Sequence, residues 1–114
     1  MKIKFKKMQS NGNDFFITED KNILNLNAKK LSNRKKGIGF DQLLLLKRSK
    51  EIWKVRVFNA DGSEARNCFN GLRCLADYSI RNKQEIKVFE NTYTVVLNKE
   101  SSKKIATVIS KMPK

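Results

Sequence analysis

Residues 58 to 74 read Phe58-Asn59-Ala60-Asp61-Gly62-Ser63-Glu64-Ala65-Arg66-Asn67-Cys68-Phe69-Asn70-Gly71-Leu72-Arg73-Cys74. This stretch leads from the end of an apolar strand, through a run of strong turn residues, into a helix. Asn67 is a good helix-capping residue, and Leu72, Leu75, Ala76 and Ile80 recur at helical spacing. The pattern therefore predicts that Cys68 lies on the first turn of a helix.

A cysteine at a helix start has a defined chemistry. The unpaired backbone N–H groups and the helix dipole favour negative charge, which lowers the thiol pKa, and the same N–H groups can hold a carboxylate. Cys68 is thus a candidate acid/base of an enzyme acting on an amino or carboxylic acid; a buried structural cysteine is the alternative. Cys74 falls beside the apolar stripe at Leu75, which predicts a structural role.

The rest of the chain predicts an α+β domain spanning residues 1–114, in which mostly antiparallel strands surround one main helix. Upstream, strands are expected around Ile3 and Phe5, over Phe15–Thr18, Gln42–Lys47 and Ile52–Phe58, and a short helix over Ala28–Lys35. Ser10–Asn13 is expected to be a turn, Asn27 to cap the short helix, and Gly37 to end it in the left-handed conformation. Downstream, strands are expected over Ile86–Phe89, Thr92–Leu97 and Ile105–Ile109, with turns at Glu90-Asn91 and Asn98–Lys104.

Two shorter motifs are polar where a plain scaffold does not need polar residues. Gly12-Asn13-Asp14-Phe15 and Gly37-Ile38-Gly39-Phe40-Asp41-Gln42 each place an amide and a carboxylate at the entrance of an apolar strand. Either motif alone is more often an ordinary turn than a site. Their occurrence together with the cysteine turn favours a shared functional site.

Composition narrows the function classes. The formal charge is +14, but the lysines are spread along the chain beside Asn and Ile, residues that share A/T-rich codons with Lys, so a nucleic-acid partner is not expected. The count of zero histidines excludes Cys-His and Ser-His catalysis, and the count of two cysteines excludes a four-cysteine zinc site within these residues. The lysine-rich start from Met1 to Lys7 does not look like a signal peptide, and the run Leu43–Leu46 is too short to cross a bilayer. We therefore expect a soluble, cytoplasmic protein with reduced thiols and no membrane partner.

The three motifs, in this order and spacing, closely resemble the diaminopimelate epimerase family. The long stretch from Asn59 to Cys74 carries most of the specificity, and the resemblance runs along essentially the whole chain while covering the first half of the family's usual length. It implies one lobe of a two-lobed fold with the active site in the cleft between the lobes. The chain departs from the family pattern at Gln9-Ser10-Asn11, where His-Gly-x is usual, and at Phe69, where Gly is usual.

The resemblance also implies the chemistry, which interconverts LL- and meso-diaminopimelate without a cofactor or a metal. One cysteine from each lobe acts on the substrate α-carbon, and Cys68 takes the position of this lobe's acid/base. Asn13, Gln42, Asn59 and Asn70 take the positions that hold the substrate's amino and carboxylate groups. Phe69 and Gly71, which flank Asn70, complete the expected substrate-binding set.

The expected partners follow from the same resemblance. They are a small amino-acid substrate and a complementary second half, supplied in cis or in trans, without which the isolated half is expected to be inactive. A weak homodimer through an exposed face near Phe69 is a further possibility. The alternatives are an inactive remnant or basic binding module with the same fold, and a related amino-acid racemase.

Overall fold

The computed structural model describes residues 3–10, 12–35, 37–66, 69–75, 83–88, 91–100 and 103–110, of which Phe69, 97–100 and 103–110 are described by their backbone alone. Within these ranges the chain forms one eight-stranded mixed sheet, a 3-10 helix and two α-helices. The α+β class predicted from the sequence is confirmed.

The strands follow one another along the chain. They are β1 Phe5–Ser10, β2 Asn13–Thr18, β3 Gln42–Lys47, β4 Ile52–Asn59, β5 Glu64–Ala65, β6 Lys83–Val88, β7 Asn91–Glu100 and β8 Lys103–Ser110. Their order across the sheet is β1-β2-β3-β4-β6-β7-β8, and β5 pairs with β4. The β2–β3 and β4–β6 pairs are parallel and the others are antiparallel, so β2, β3 and the reversed β4 bring their Asn13, Gln42 and Asn59 ends to the same edge.

The two faces of the sheet are covered by different helices. Because side chains alternate across a strand, Phe15, Leu44 and Val57 lie on one face, where they pack in the main core with Leu72 and Leu75 of helix α2, Phe69–Leu75. Phe16, Leu43 and Phe58 lie on the other face, beneath a smaller cluster that includes Ile23 of the 3-10 helix, Lys21–Asn25, and Leu31 of helix α1, Ala28–Ser32. The unbroken apolar run of β3 reflects this double coverage.

Helix α2 sits in the curve of the sheet. It contacts both β1 and β8, which are the two ends of the strand order. The sheet must therefore bend around α2, and the helix fills the space that this bend encloses. Ala76 and Ile80, the other two residues of the predicted helical stripe, lie outside the described residues.

The region of α1 differs in detail from the prediction. The side chain of Asn27 accepts a hydrogen bond from the Lys30 N–H and caps the helix as expected, but the helix ends at Ser32, not at Lys35. Gly37 is not left-handed; Gly39 is, with φ of 80°. Gly37 instead crosses the end of α1 so closely that a Cβ there would lie 2.4 Å from the Lys30 carbonyl oxygen.

Two predicted turns prove shorter than expected. Ser10 and Asn13 pair with each other across the β1–β2 hairpin, so they are strand residues. Likewise, β7 continues to Glu100 and β8 starts at Lys103, which makes the predicted Asn98–Lys104 turn wrong at both ends. Polar residues at the ends of strands resemble turn residues in the sequence, because apolar side chains are not needed for packing at those positions. Asn91 likewise begins β7 and is not a turn residue, while Phe89 and Glu90 lie outside the described residues.

Candidate active site

Three of the predicted substrate-binding residues meet at one edge of the sheet. Gln42 and Asn59 are directly opposite each other in the β3–β4 pair, and Gln42 is opposite Phe15 in the parallel β2–β3 pair. Asn13 is two residues before Phe15 and is exposed at the start of β2. Residues up to 46 positions apart in the sequence are thus brought to the ends of three neighbouring strands.

These three side chains also share a face. Residues two positions apart on a strand point to the same face of the sheet. Each of the three amides is two positions from a residue of the core that α2 completes: Asn13 from Phe15, Gln42 from Leu44, and Asn59 from Val57. The three amides therefore lie on the α2 side of the sheet, at the rim where the apolar core ends. A rim of amides bordering an apolar floor suits a small zwitterionic ligand, since an amide offers both a donor and an acceptor.

A chain of hydrogen bonds fixes the orientation of two of the amides. Gln42 Nε2 donates to Asn59 Oδ1 at 2.9 Å, and Asn59 Nδ2 donates to Ser63 Oγ at 3.1 Å. Ser63 Oγ in turn donates to Asp61 Oδ1 at 2.6 Å. The bonds from Ser63 hold the pKa of Asp61 below its ordinary value, so the carboxylate stays charged and ends this series of hydrogen bonds.

The turn between β4 and β5 fixes the residues that form this series of hydrogen bonds. The Asn59 N–H donates to the Ser63 carbonyl at 2.7 Å, and the Gly62 N–H donates to the Asn59 carbonyl at 2.9 Å. Gly62 has φ of 94°, a conformation that glycine adopts without steric cost. The Asn-Ala-Asp-Gly-Ser sequence is therefore required by the turn as well as by the amide that it presents.

The described part of α2 supplies the next group of predicted residues. Asn70 is half-buried and its Oδ1 accepts a hydrogen bond from Arg73 Nη1 at 3.3 Å; Gly71 is buried. Helix α2 is described from Phe69 onward, by its backbone alone at that residue, and the predicted cap Asn67 lies outside the described residues. Cys68, the predicted acid/base, lies outside the described residues, so its role stays a prediction.

Cys74 lies where the sequence places it. The side chain is 4% exposed and belongs to the main core together with Leu72 and Leu75. A thiol in such surroundings behaves as a small apolar side chain. Its burial agrees with the predicted structural role.

An ion-pair cluster behind the amide rim was not singled out from the sequence. Arg34 donates from Nη1 and Nη2 to the two carboxylate oxygens of Asp14, both at 2.9 Å, and Nη2 also donates to Asp41 Oδ1 at 3.2 Å. Two further bonds link the strand entrances directly: the Asp14 N–H donates to Asp41 Oδ2 at 2.9 Å, and the Asp41 N–H donates to the Asp14 carbonyl at 3.0 Å. We call Asp14, Arg34 and Asp41 the arginine clamp. The carboxylate in each of the two short motifs was the only signal of it.

Asp14 and Arg34 of the arginine clamp both stay charged at neutral pH. Asp14 is 7% exposed, yet the hydrogen bonds from Arg34 hold its pKa well below the usual range. Asp14 correspondingly raises the pKa of Arg34. Lys7 Nζ lies 3.6 Å from Asp14 Oδ2 and adds attraction of the same sign. No group of three or more His, Cys, Asp or Glu able to hold a metal ion occurs among the described residues.

The shape of the chain is that of a known fold. It is similar to the crystal structure of a Bacillus anthracis phenazine biosynthesis protein of the PhzF family, with a TM-score of 0.52 over 87% of this chain and 36% of that one. The sequence identity of 14% is too low for this likeness to carry more than the fold. The chain thus shares the fold of part of that protein.

Sequence comparison gives the family. A family model for diaminopimelate epimerase matches residues 5–108, and the chain belongs to the diaminopimelate epimerase family. It is 41% identical to the diaminopimelate epimerase of Buchnera aphidicola subsp. Baizongia pistaciae, over 86% of this chain. It is also 40% identical to that of Blochmanniella floridana over 84% of the chain, and 37% identical to that of Coxiella burnetii over 77%.

The chain spans less than two fifths of the length of these relatives. The shares are 38% of the Buchnera protein, 39% of the Blochmanniella protein and 36% of the Coxiella protein. Within the described residues, no helix has the length and apolar character needed to span a membrane.

Proposed function

We propose that this protein provides one lobe of a cofactor-independent diaminopimelate epimerase, with Cys68 as the lobe's acid/base. The observation that carries the proposal is the convergence of Asn13, Gln42 and Asn59 on the α2 face of one sheet edge. The resemblance of the motifs to those of the family assigns these three residues to substrate binding, and their common location supports that assignment.

The connection between β5 and α2 is short. Ala65 pairs with Val57, two residues from Asn59, and only residues 66 to 68 separate it from Phe69, the first residue of α2. A chain of that length spans at most about 14 Å. This short connection supports our proposal that Cys68 acts together with the three amides.

The reaction needs a group on each side of the substrate α-carbon. The Cys68 thiolate removes the α-proton, and a thiol on the opposite face delivers a proton to the carbanion, which inverts the centre. The amides of the rim hold the substrate's ammonium and carboxylate groups so that only the configuration at one carbon changes. No redox change occurs, and one proton enters as one leaves.

The second thiol cannot be that of Cys74. Cys74 lies on α2, and its side chain is 4% exposed and packed in the main core, so it does not face a ligand at the rim. We propose that a complementary lobe supplies the second thiol, either in the same polypeptide or as a separate partner. The amide rim of this lobe then forms one wall of the cleft between the two.

The test is proton exchange at the substrate α-carbon in D₂O. The chain is combined with the carboxy-terminal lobe of the Buchnera aphidicola relative, and LL-diaminopimelate is followed by NMR. Exchange and epimerisation are expected in the mixture, and Cys68→Ala should reduce both by about 100-fold to 10,000-fold. Turnover that survives Cys68→Ala, or its absence from a mixture shown to form a complex, would contradict the proposal.

A further inference from the structure

The arginine clamp and the amide rim lie on opposite faces of the same strand ends. Asp14 follows Asn13 and Asp41 precedes Gln42, so each carboxylate is the immediate neighbour of a rim amide. Because successive side chains alternate, Asp14 and Asp41 are on the α1 face while Asn13 and Gln42 are on the α2 face. The clamp therefore cannot touch a ligand held at the rim, and any effect on that ligand passes through the backbone.

One side-chain bond and one backbone bond can transmit such an effect. The Asp14 N–H donates to the Asp41 carboxylate at 2.9 Å, and the Asp41 N–H donates to the Asp14 carbonyl at 3.0 Å, so the residues next to Asn13 and Gln42 are tied together. Arg34 then bridges both carboxylates from outside the sheet. The two strand entrances are consequently fixed relative to each other just where the parallel β2–β3 pairing begins, at Phe15 and Gln42.

The cluster requires an arginine at position 34. Three of its hydrogen bonds come from one planar guanidinium, with two on Asp14 and the third on Asp41. Lysine has a single ammonium and cannot reproduce a two-pronged bond to a carboxylate. The backbone also makes room for Arg34, since a Cβ on Gly39 would lie 3.1 Å from Arg34 Cγ.

We propose that Arg34, acting through Asp14 and Asp41, is a positioning residue that sets the spacing of Asn13 and Gln42 for substrate binding. The proposal rests on the proposed function for the identity of the substrate, and on the clamp geometry for the mechanism. Loss of the bridge lets the two strand entrances shift independently. A displacement of about 1 Å in a positioned group can cost as much as 100-fold in rate.

The experiment compares Arg34→Lys and Arg34→Gln with the matched control Arg48→Gln. Arg48 also makes a two-pronged bond to a carboxylate, Glu19, at 2.6 and 2.9 Å, but at the opposite end of β3. The first readout is the side-chain amide NMR signals of Gln42 and Asn59 in the full chain. The second is α-proton exchange of LL-diaminopimelate in the complemented enzyme, with kcat and KM measured separately.

Both Arg34 variants are expected to shift the Gln42 amide signals and to lower kcat/KM by about 10-fold to 100-fold, while Arg48→Gln changes neither. Unshifted Gln42 signals in a folded Arg34 variant would overturn the proposal, and so would equal losses of kcat/KM in the Arg34 and Arg48 variants. If Arg34→Gln does not fold, Arg34→Lys decides, since it keeps the charge. If the wild-type mixture shows no exchange at all, the proposed function fails. The side-chain amide signals of Gln42 and Asn59 still test whether Arg34 positions these residues.

Discussion

Gln42 and Asn59 are joined by a 2.9 Å hydrogen bond from the Nε2 of Gln42 to the Oδ1 of Asn59, across the β3–β4 pair. This bond joins residues that are 17 positions apart in the sequence, so two separate polar motifs form one rim. Because Asn59 also donates to Ser63, its amide oxygen faces Gln42 and its NH₂ group faces the turn. The rim thus has defined donor and acceptor positions.

Gln42→Ala is expected to reduce epimerase activity of the complemented enzyme by about 10-fold to 100-fold with little change in stability, because Gln42 is half-buried at the rim. The matched control is Gln84→Ala. Gln84 is a buried amide on β6 whose Nε2 donates to the Glu51 carbonyl at 2.9 Å, so its loss should cost about 1–3 kcal/mol of stability and leave activity unchanged. Chemical denaturation and the exchange assay separate the two effects. Loss of stability in Gln42→Ala together with loss of activity in Gln84→Ala would refute the rim as a binding site.

The two cysteines should differ in reactivity. A short iodoacetamide pulse on the native protein is expected to label Cys68 at least about 10-fold faster than Cys74, because Cys74 is buried in the core. Peptide mass spectrometry measures the two rates, and labelling in denaturant, where both thiols are exposed, provides the reference. Equal native rates would contradict the assignment of Cys68 as the reactive thiol.

Acid should weaken the fold through Asp14. Its pKa is lowered in the folded state, so the unfolded protein binds the proton more readily, and the stabilisation is fully present above the unfolded pKa of about 4. That stabilisation is lost as the pH falls through and below 4. Asp14→Asn should be less stable than wild type at pH 7, and its stability should decline less between pH 5 and pH 3. Urea unfolding at several pH values measures both slopes, and parallel slopes would show that Asp14 is not the group involved.

Truncation of the core between the sheet and α2 should be costly. Leu72 is 0% exposed against the main core, and Leu72→Ala is expected to lower the free energy of unfolding by about 2–5 kcal/mol. Leu24, which is 47% exposed on the 3-10 helix, serves as the control, and Leu24→Ala should change stability by less than about 0.5 kcal/mol. Thermal or urea unfolding compares them. Similar losses at both positions would mean that α2 does not complete the core.

Self-association at the face near Phe69 remains a prediction from the sequence. Phe69→Gly should weaken any dimer, and added salt should strengthen it by screening the repulsion that a charge of +14 imposes. Sedimentation velocity at low and high salt, with both proteins, is the measurement. A monomer under all conditions would exclude a dimer at this face.

The sequence by itself determined the family, the α+β class and the identity of the rim residues. These depend on local patterns: turn residues that few other sequences can replace, strand alternation, and a motif whose order is fixed along the chain. The structural role of Cys74 was also local, because helical spacing from Leu75 placed it beside the core stripe. Strand ends such as Asn98–Glu100 and the end of α1 were missed, since polar residues at the margins carry no periodic signal.

Tertiary structure alone decided which residues meet. The parallel pairing of β2 with β3 sets the start of β2, which carries Asn13, beside the start of β3, and the reversal of β4 sets Asn59 opposite Gln42, although nothing in the local pattern specifies strand order. Arg34 is the clearest case. In the sequence it is one of 25 basic residues, and only the fold places its guanidinium between Asp14 and Asp41. The physical reason is that an ion pair depends on distance in space, whereas a motif records distance along the chain.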